Sequence, residues 1–181
     1  FTGRYHTFLT KRFDRSAGKR IHFAAAMTML AQLDGHGDDT HPSYLDMVEF
    51  LLRNGSQVEK DLQQLWRRIV FNICVSNTDD HLRNHGFLLT SKGWKLAPAY
   101  DMNAAETGNG LTLNISRDDN AQDLELAYSV APQFRLKPQK AREVAQEIIT
   151  AVRHWENLTT ELHLSKEAHK MRHAFRVAMT A

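Results

Sequence analysis

Scarcity narrows the possibilities for this 181-residue chain first. It has one cysteine, Cys74, so no disulfide can form within it, and a reducing cytoplasm is the expected setting. Four prolines and nine glycines are too few for a collagen-like or low-complexity chain, and no internal repeat is visible. No apolar run reaches about eighteen residues, so no helical membrane span is expected. Charge of one sign is not in excess either: 23 Lys and Arg against 21 Asp and Glu leave +2, which gives no strong pull toward nucleic acid or a membrane surface. The opening Phe1-Thr2-Gly3-Arg4-Tyr5 carries neither Met nor signal-peptide character and reads as an internal start. What is present, 42% hydrophobic and 24% charged residues, suits one globular domain over residues 1–181.

Periodicity predicts a mainly α fold with a few short strands. Phe8 to Phe13 reads as a strand ending in an Asp14-Arg15 turn, and the Ala- and Met-rich stretch Arg20 to Leu33 as a helix. A loop from Gly35 to Pro42 follows. Ser43, with Asp46 three residues on, opens the next helix, which Asn54-Gly55 closes. Leu62, Leu65, Trp66, Ile69, Val70 and Ile73 recur at helical spacing and define a buried helix running directly into Asn77. Gly86 to Leu89 and Trp94 to Leu96 flank Ser91-Lys92-Gly93 as a hairpin. Residues 102–120 are polar and Gly/Asn-rich, with one strand-like piece at Leu111 to Ile115. Helices are expected from there to the end, one opened by Pro138 and a last one capped by Ser165.

Between the buried helix and residue 101 lie three oxygen-bearing side chains in a meaningful order. Asp79 and Asn84 are five apart, the D-x-x-x-x-N spacing of kinase catalytic loops, and Asp101 follows at the distance of a second metal-binding carboxylate. Phosphoryl transfer from Mg-ATP needs a carboxylate at the attacking hydroxyl and oxygen ligands for the metal. Asp80 stands one residue too close to serve in that spacing. Taken singly, each residue has a plainer reading, Asp79 as an Asx-turn and Asp101 as a turn after Pro98-Ala99-Tyr100. Their order and spacing together favour Asp79 as catalytic base and Asn84 and Asp101 as Mg2+ ligands. His81 and His85 have the four-residue spacing of zinc ligands but lack a third partner at zinc-site spacing. His85 is assigned no role.

Arg12-Phe13-Asp14-Arg15, Asn77-Thr78-Asp79-Asp80-His81-Leu82-Arg83-Asn84-His85-Gly86 and Pro98-Ala99-Tyr100-Asp101 resemble the signatures of HipA-like kinases, the toxins of bacterial toxin–antitoxin pairs. The resemblance covers nearly the whole chain. It implies the C-terminal lobe of a protein-kinase-like fold, with the N-terminal lobe, its phosphate-covering loop and its ATP-anchoring Lys absent. On that template residues 1–15 form a strand and lobe connection, 16–76 helices, 77–101 the catalytic and metal motifs, 102–120 an activation-segment-like loop and 121–181 helices. Lys11 and Phe13 would meet adenine through their backbone, and Asp14 would approach the ribose. His81 would brace the catalytic loop by hydrogen bonds, and Arg83, where the family more often has Lys, would meet a phosphate or an acid. The implied cofactors are ATP and Mg2+. The implied partners are a protein substrate, aminoacyl-tRNA synthetases being the known class, and a DNA-binding antitoxin, in a bacterial cytoplasm. A docking module without activity and a small-molecule kinase are the alternative readings.

Overall fold

The computed structural model describes residues 9–32 and 41–181, the side chains of Ser165 and Glu167 excepted. Ala17 and Gly18, with φ of 47° and 75°, make the tight turn that joins β1 (Arg15–Ser16) to β2 (Lys19–Arg20). The strand expected at Phe8 to Phe13 does not form over its described part: Leu9 to Arg12 carry no regular structure, and Phe8 lies outside the described residues. The Asp14 carboxylate explains the shift, because it accepts from Arg12 on one side and Arg15 on the other and bends the chain between them.

β3 (Phe23–Ala25) pairs antiparallel with β4 (Gly86–Thr90), and β4 with β5 (Gly93–Leu96), giving the order β3-β4-β5. The helix expected from Arg20 to Leu33 therefore shrinks to α1 (Ala26–Met29); Leu33 lies outside the described residues. Local helix propensity loses here to pairing with a strand sixty residues away, a tertiary choice that a propensity reading cannot see. The loop expected at Gly35 to Pro42 lies outside the described residues up to position 40.

α2 (Tyr44–Asn54) begins as expected. The Leu45 N–H donates to Ser43 Oγ at 3.2 Å and the Ser43 N–H to Asp46 at 2.8 Å, a capping box. α3 (Val58–Cys74) is the axis of the core, with Leu62, Leu65, Trp66, Ile69, Val70 and Ile73 wholly buried. It packs against α2, β5, α4 (Leu124–Val130) and α5 (Pro138–Arg153). Trp66 Nε1 donates to the Ala127 carbonyl at 2.9 Å, so even the indole nitrogen inside this core is satisfied.

Leu111 to Ile115 is not a strand. Leu111, Leu113 and Ile115 are buried, but the Leu111 and Ile115 amides bond to Asn120 and Asp119 of the same loop. The apolar alternation is real; the backbone partners are local, apart from one bridge between Asn114 and Ser43. After α6 (Trp155–Glu161), the single last helix expected from Ser165 is divided into α7 (Ser165–Met171), a 3-10 turn at Arg172–Phe175 and α8 (Arg176–Thr180). In that turn Phe175 stacks on Trp155 with ring centroids 4.2 Å apart. The capping role expected of Ser165 lies outside the described side chains.

Candidate functional site

A buried helix followed by a short loop and a central strand leaves the loop little freedom. α3 ends at Cys74, Ser76 takes a left-handed φ of 49°, and the Asn77 amide bonds back to the Asn72 carbonyl at 2.9 Å. The chain re-enters regular structure at a 3-10 turn, Leu82–Asn84, pinned by buried Leu82, and β4 starts two residues later. Asp79, His81, Arg83 and Asn84 all lie on this loop.

Its inner geometry brings Asp79 and Asn84 together. Asn84 Nδ2 donates to the Asp79 carbonyl at 3.1 Å, and the Asn84 amide donates to the His81 carbonyl at 2.8 Å. The Asp79 carboxylate itself is 88% exposed, facing solvent from a rigid support. His81 Nε2 stands 4.0 Å from it. The buried His81 Nδ1 has no hydrogen-bond partner among the described residues.

The loop is tied to the segment before Asp101: the Tyr100 hydroxyl donates to the Arg83 carbonyl at 2.7 Å. Burial pushes the Tyr100 phenol up to about 12, which keeps the proton it donates. Asp101 adopts φ 54°, a left-handed conformation that costs a residue with a Cβ roughly 1–3 kcal/mol. One of its oxygens accepts from Asn103 Nδ2 at 2.8 Å.

A cavity of about 880 Å³ opens beside Asp101. Lys11, Phe13, Asp14, Arg83, Tyr100 and Asp101 line it, so the structure gathers the three residues expected at the nucleotide with one expected metal ligand. Asp79, His81 and Asn84 are not in its wall. Phe13 lies 5.8 Å from the Tyr100 ring and 5.7 Å from Phe23, an aromatic floor suited to a flat ligand. Gly86 makes room for that floor: a Cβ there would stand 2.3 Å from the Phe23 ring. Asp14 is less available than expected. Its carboxylate accepts from Arg12 at 2.6 and 2.7 Å and from Arg15 at 2.6 Å, and the Arg12 hydrogen bond holds its titration down to about 2.

The donor set suits Mg2+. Asn84, with its amide nitrogen used on Asp79, has its carbonyl oxygen left over, and Asp101 has one oxygen beyond the Asn103 bond. Hard oxygen ligands, few in number and completed by water and phosphate, are what Mg2+ takes. Among the described residues no three His, Cys, Asp or Glu converge as a cage made of protein alone.

Four residues in and beside the loop were given no role by the sequence reading. Asp80, His85, Tyr44 and Asn72 are buried in mutual hydrogen-bond contact, with Arg68 next to them. A signal was available: Arg68 and Asn72, like Asp61, are polar residues among the buried apolar side chains of α3.

Residues 1–155 match the HipA-like C-terminal domain. A putative kinase, Y4mE, of Sinorhizobium fredii is 34% identical over 61 residues, 34% of this chain and 14% of that protein. A putative kinase of Haemophilus influenzae is 30% identical over 101 residues, 52% of this chain and 29% of that protein. Among solved structures, the toxin–antitoxin complex of HipA, HipB and operator DNA from Shewanella oneidensis superposes with a TM-score of 0.68 at 18% identity, over 94% of this chain and 46% of that one. The chain thus spans less than half the length of each of these proteins.

Proposed function

The chain belongs to the HipA-like C-terminal domain family, and from that premise we propose that it is the metal- and acceptor-handling part of an ATP-dependent Ser/Thr protein kinase. The observation that carries this reading is the contact of Asp79 and Asn84 on one loop that is tied through Tyr100 to Asp101 in the wall of the aromatic cavity.

In this reading the fold is a kinase-like C-terminal lobe. Asp79, held on a fixed backbone with its carboxylate in solvent, meets a hydroxyl presented by another protein and accepts its proton. The acceptor oxygen forms a bond to the γ-phosphorus, the bond to the β–γ bridging oxygen breaks, and ADP leaves. Asn84 and Asp101 would hold Mg2+, which when bound neutralises charge on the phosphates. Phe13, Phe23 and Tyr100 offer the adenine an apolar seat, while Lys11 and Arg83 add positive charge to the cavity wall. His81, with Nε2 4.0 Å from Asp79, would help orient that carboxylate toward the acceptor hydroxyl. Like the Shewanella protein seen with HipB and operator DNA, the complete kinase would act as a toxin restrained by a DNA-binding antitoxin. An aminoacyl-tRNA synthetase is the class of substrate this implies.

The test is transfer of labelled γ-phosphate to protein by the full-length kinase, wild type against Asp79→Asn. The substitution should lower transfer by about 10²–10⁴-fold, the range for removing a general base. Because Asp79 is exposed, the melting temperature should hardly move. Near-normal transfer by Asp79→Asn would remove this residue from the mechanism. Absence of transfer by the folded full-length protein would leave a docking module.

A further inference from the structure

The Asp79–Asn84 pair has a buried twin one residue along. Asp80 and His85 are also five apart, both almost wholly buried, and joined directly: His85 Nε2 lies 3.0 and 2.9 Å from the two Asp80 oxygens. Resting on the phosphotransfer reading above, we infer that Asp80 and His85 are positioning residues, a staple beneath the catalytic loop that fixes the separation of Asp79 and Asn84.

The side-chain partners of the staple come from two helices, α2 and α3. Tyr44 at the start of α2 donates its hydroxyl to Asp80, and Asn72 on α3 donates from Nδ2 to the same oxygen at 2.7 Å. Asn72 also receives the Asn77 side chain at 3.1 Å, which secures the entry to the loop. Arg68 on α3 stands with Nη1 3.4 Å from His85 Nδ1 and donates from Nη2 to the Ala97 carbonyl. A guanidinium only donates, so His85 Nδ1 must accept. The ring proton is then on Nε2, where it donates to Asp80. One chain of contacts thus runs from the loop through Asp80, His85 and Arg68 to Ala97, four residues before Asp101.

A buried carboxylate and arginine are poor filler for a core, since apolar residues of like volume would serve stability as well. What such a network supplies is a single geometry, because each bond fixes both of its ends. Pointing Asp80 inward also leaves the adjacent Asp79 side chain outward. His85 anchors the other end of the loop, next to Asn84, which is itself buried.

The experiment uses the full-length kinase and the variants Asp80→Asn, His85→Leu and His85→Gln. Melting temperature, kcat and the Mg2+ concentration for half-maximal activity are measured together. Asp80→Asn and His85→Leu should raise the half-activating Mg2+ concentration about 10–100-fold, the usual effect of disturbing the partners of a metal ligand. His85→Gln, which keeps a donor for Asp80, should recover most of that shift. An unchanged Mg2+ requirement in Asp80→Asn, even with reduced kcat, would overturn the inference, because a purely structural role would leave the metal site alone. Long-range 15N–1H spectra give a readout independent of activity. Wild-type His85 should carry its proton on Nε2, and the Asn84 side-chain amide should shift in Asp80→Asn. If the wild type transfers no phosphate, the kinase reading fails, and these spectra alone judge the staple. A His85 proton on Nδ1, or an Asn84 signal unmoved by Asp80→Asn, would overturn it whether or not the other variants fold.

Discussion

Asp14 shows how a single residue can be correctly located and differently employed. It lines the cavity as the family resemblance implies, yet Arg12 and Arg15 already hold its carboxylate. With its titration lowered to about 2 from an ordinary 3.8, its contribution to stability is present above the ordinary value and disappears as pH falls through about 2. The Asp14 carboxyl carbon, followed by NMR, should therefore inflect near 2 in wild type and rise toward 3.8 in Arg12→Ala; an unshifted wild-type inflection would deny the pairing. At this scale the sequence was legible where geometry follows spacing along the chain, as with the contact of Asn84 with Asp79 across one short loop. It was opaque where side chains meet across elements. Nothing in Thr78-Asp79-Asp80 says which carboxylate turns inward, since Tyr44 and Asn72 decide that from two different helices.

Elements written in local chemistry were predictable. α2 has its cap and closing residues within the segment itself, and α3 has an apolar stripe at helical spacing from Leu62 to Ile73. Removing the cap by Ser43→Ala should cost about 1 kcal/mol in chemical denaturation, and no change would mean that the Asp46 bond alone suffices. The β4–β5 hairpin was equally clear from its turn residues. β3 was not, because Phe23 to Ala25 become a strand only through β4, and the division of the last helix depends on Phe175 meeting Trp155. β3 and β4 also carry a steric demand. Gly86→Ala would press a methyl into the Phe23 ring and the Ala24 carbonyl, at an expected cost of about 1–3 kcal/mol read from thermal melting. Since Phe23 lines the cavity, weakened nucleotide binding should accompany that loss, and wild-type affinity would separate the two effects.

For the whole molecule, α3 is the member that touches almost everything. It packs on α2, which precedes it, and on β5, α4 and α5, which follow it. The far-ultraviolet helix signal and the fluorescence of buried Trp66 should accordingly be lost in one coincident thermal transition, whereas two separated transitions would mean that the halves stand independently. The chain's nucleotide affinity should be modest, with a Kd above about 1 μM by calorimetry, because it spans less than half the length of its relatives and on the proposed reading carries only part of the nucleotide pocket. A tighter value would show that the aromatic cavity suffices alone. Asp101 gives this architecture an evolutionary edge. Its left-handed backbone suits glycine or asparagine at least as well as aspartate, so the position rewards loss of the carboxylate that the proposed chemistry requires. A library of variants propagated for heat survival alone should drift toward Gly or Asn at 101, whereas one propagated under demand for phosphotransfer should hold the acid. Which residue accumulates there would tell, without any assay, what a lineage has been asked to do.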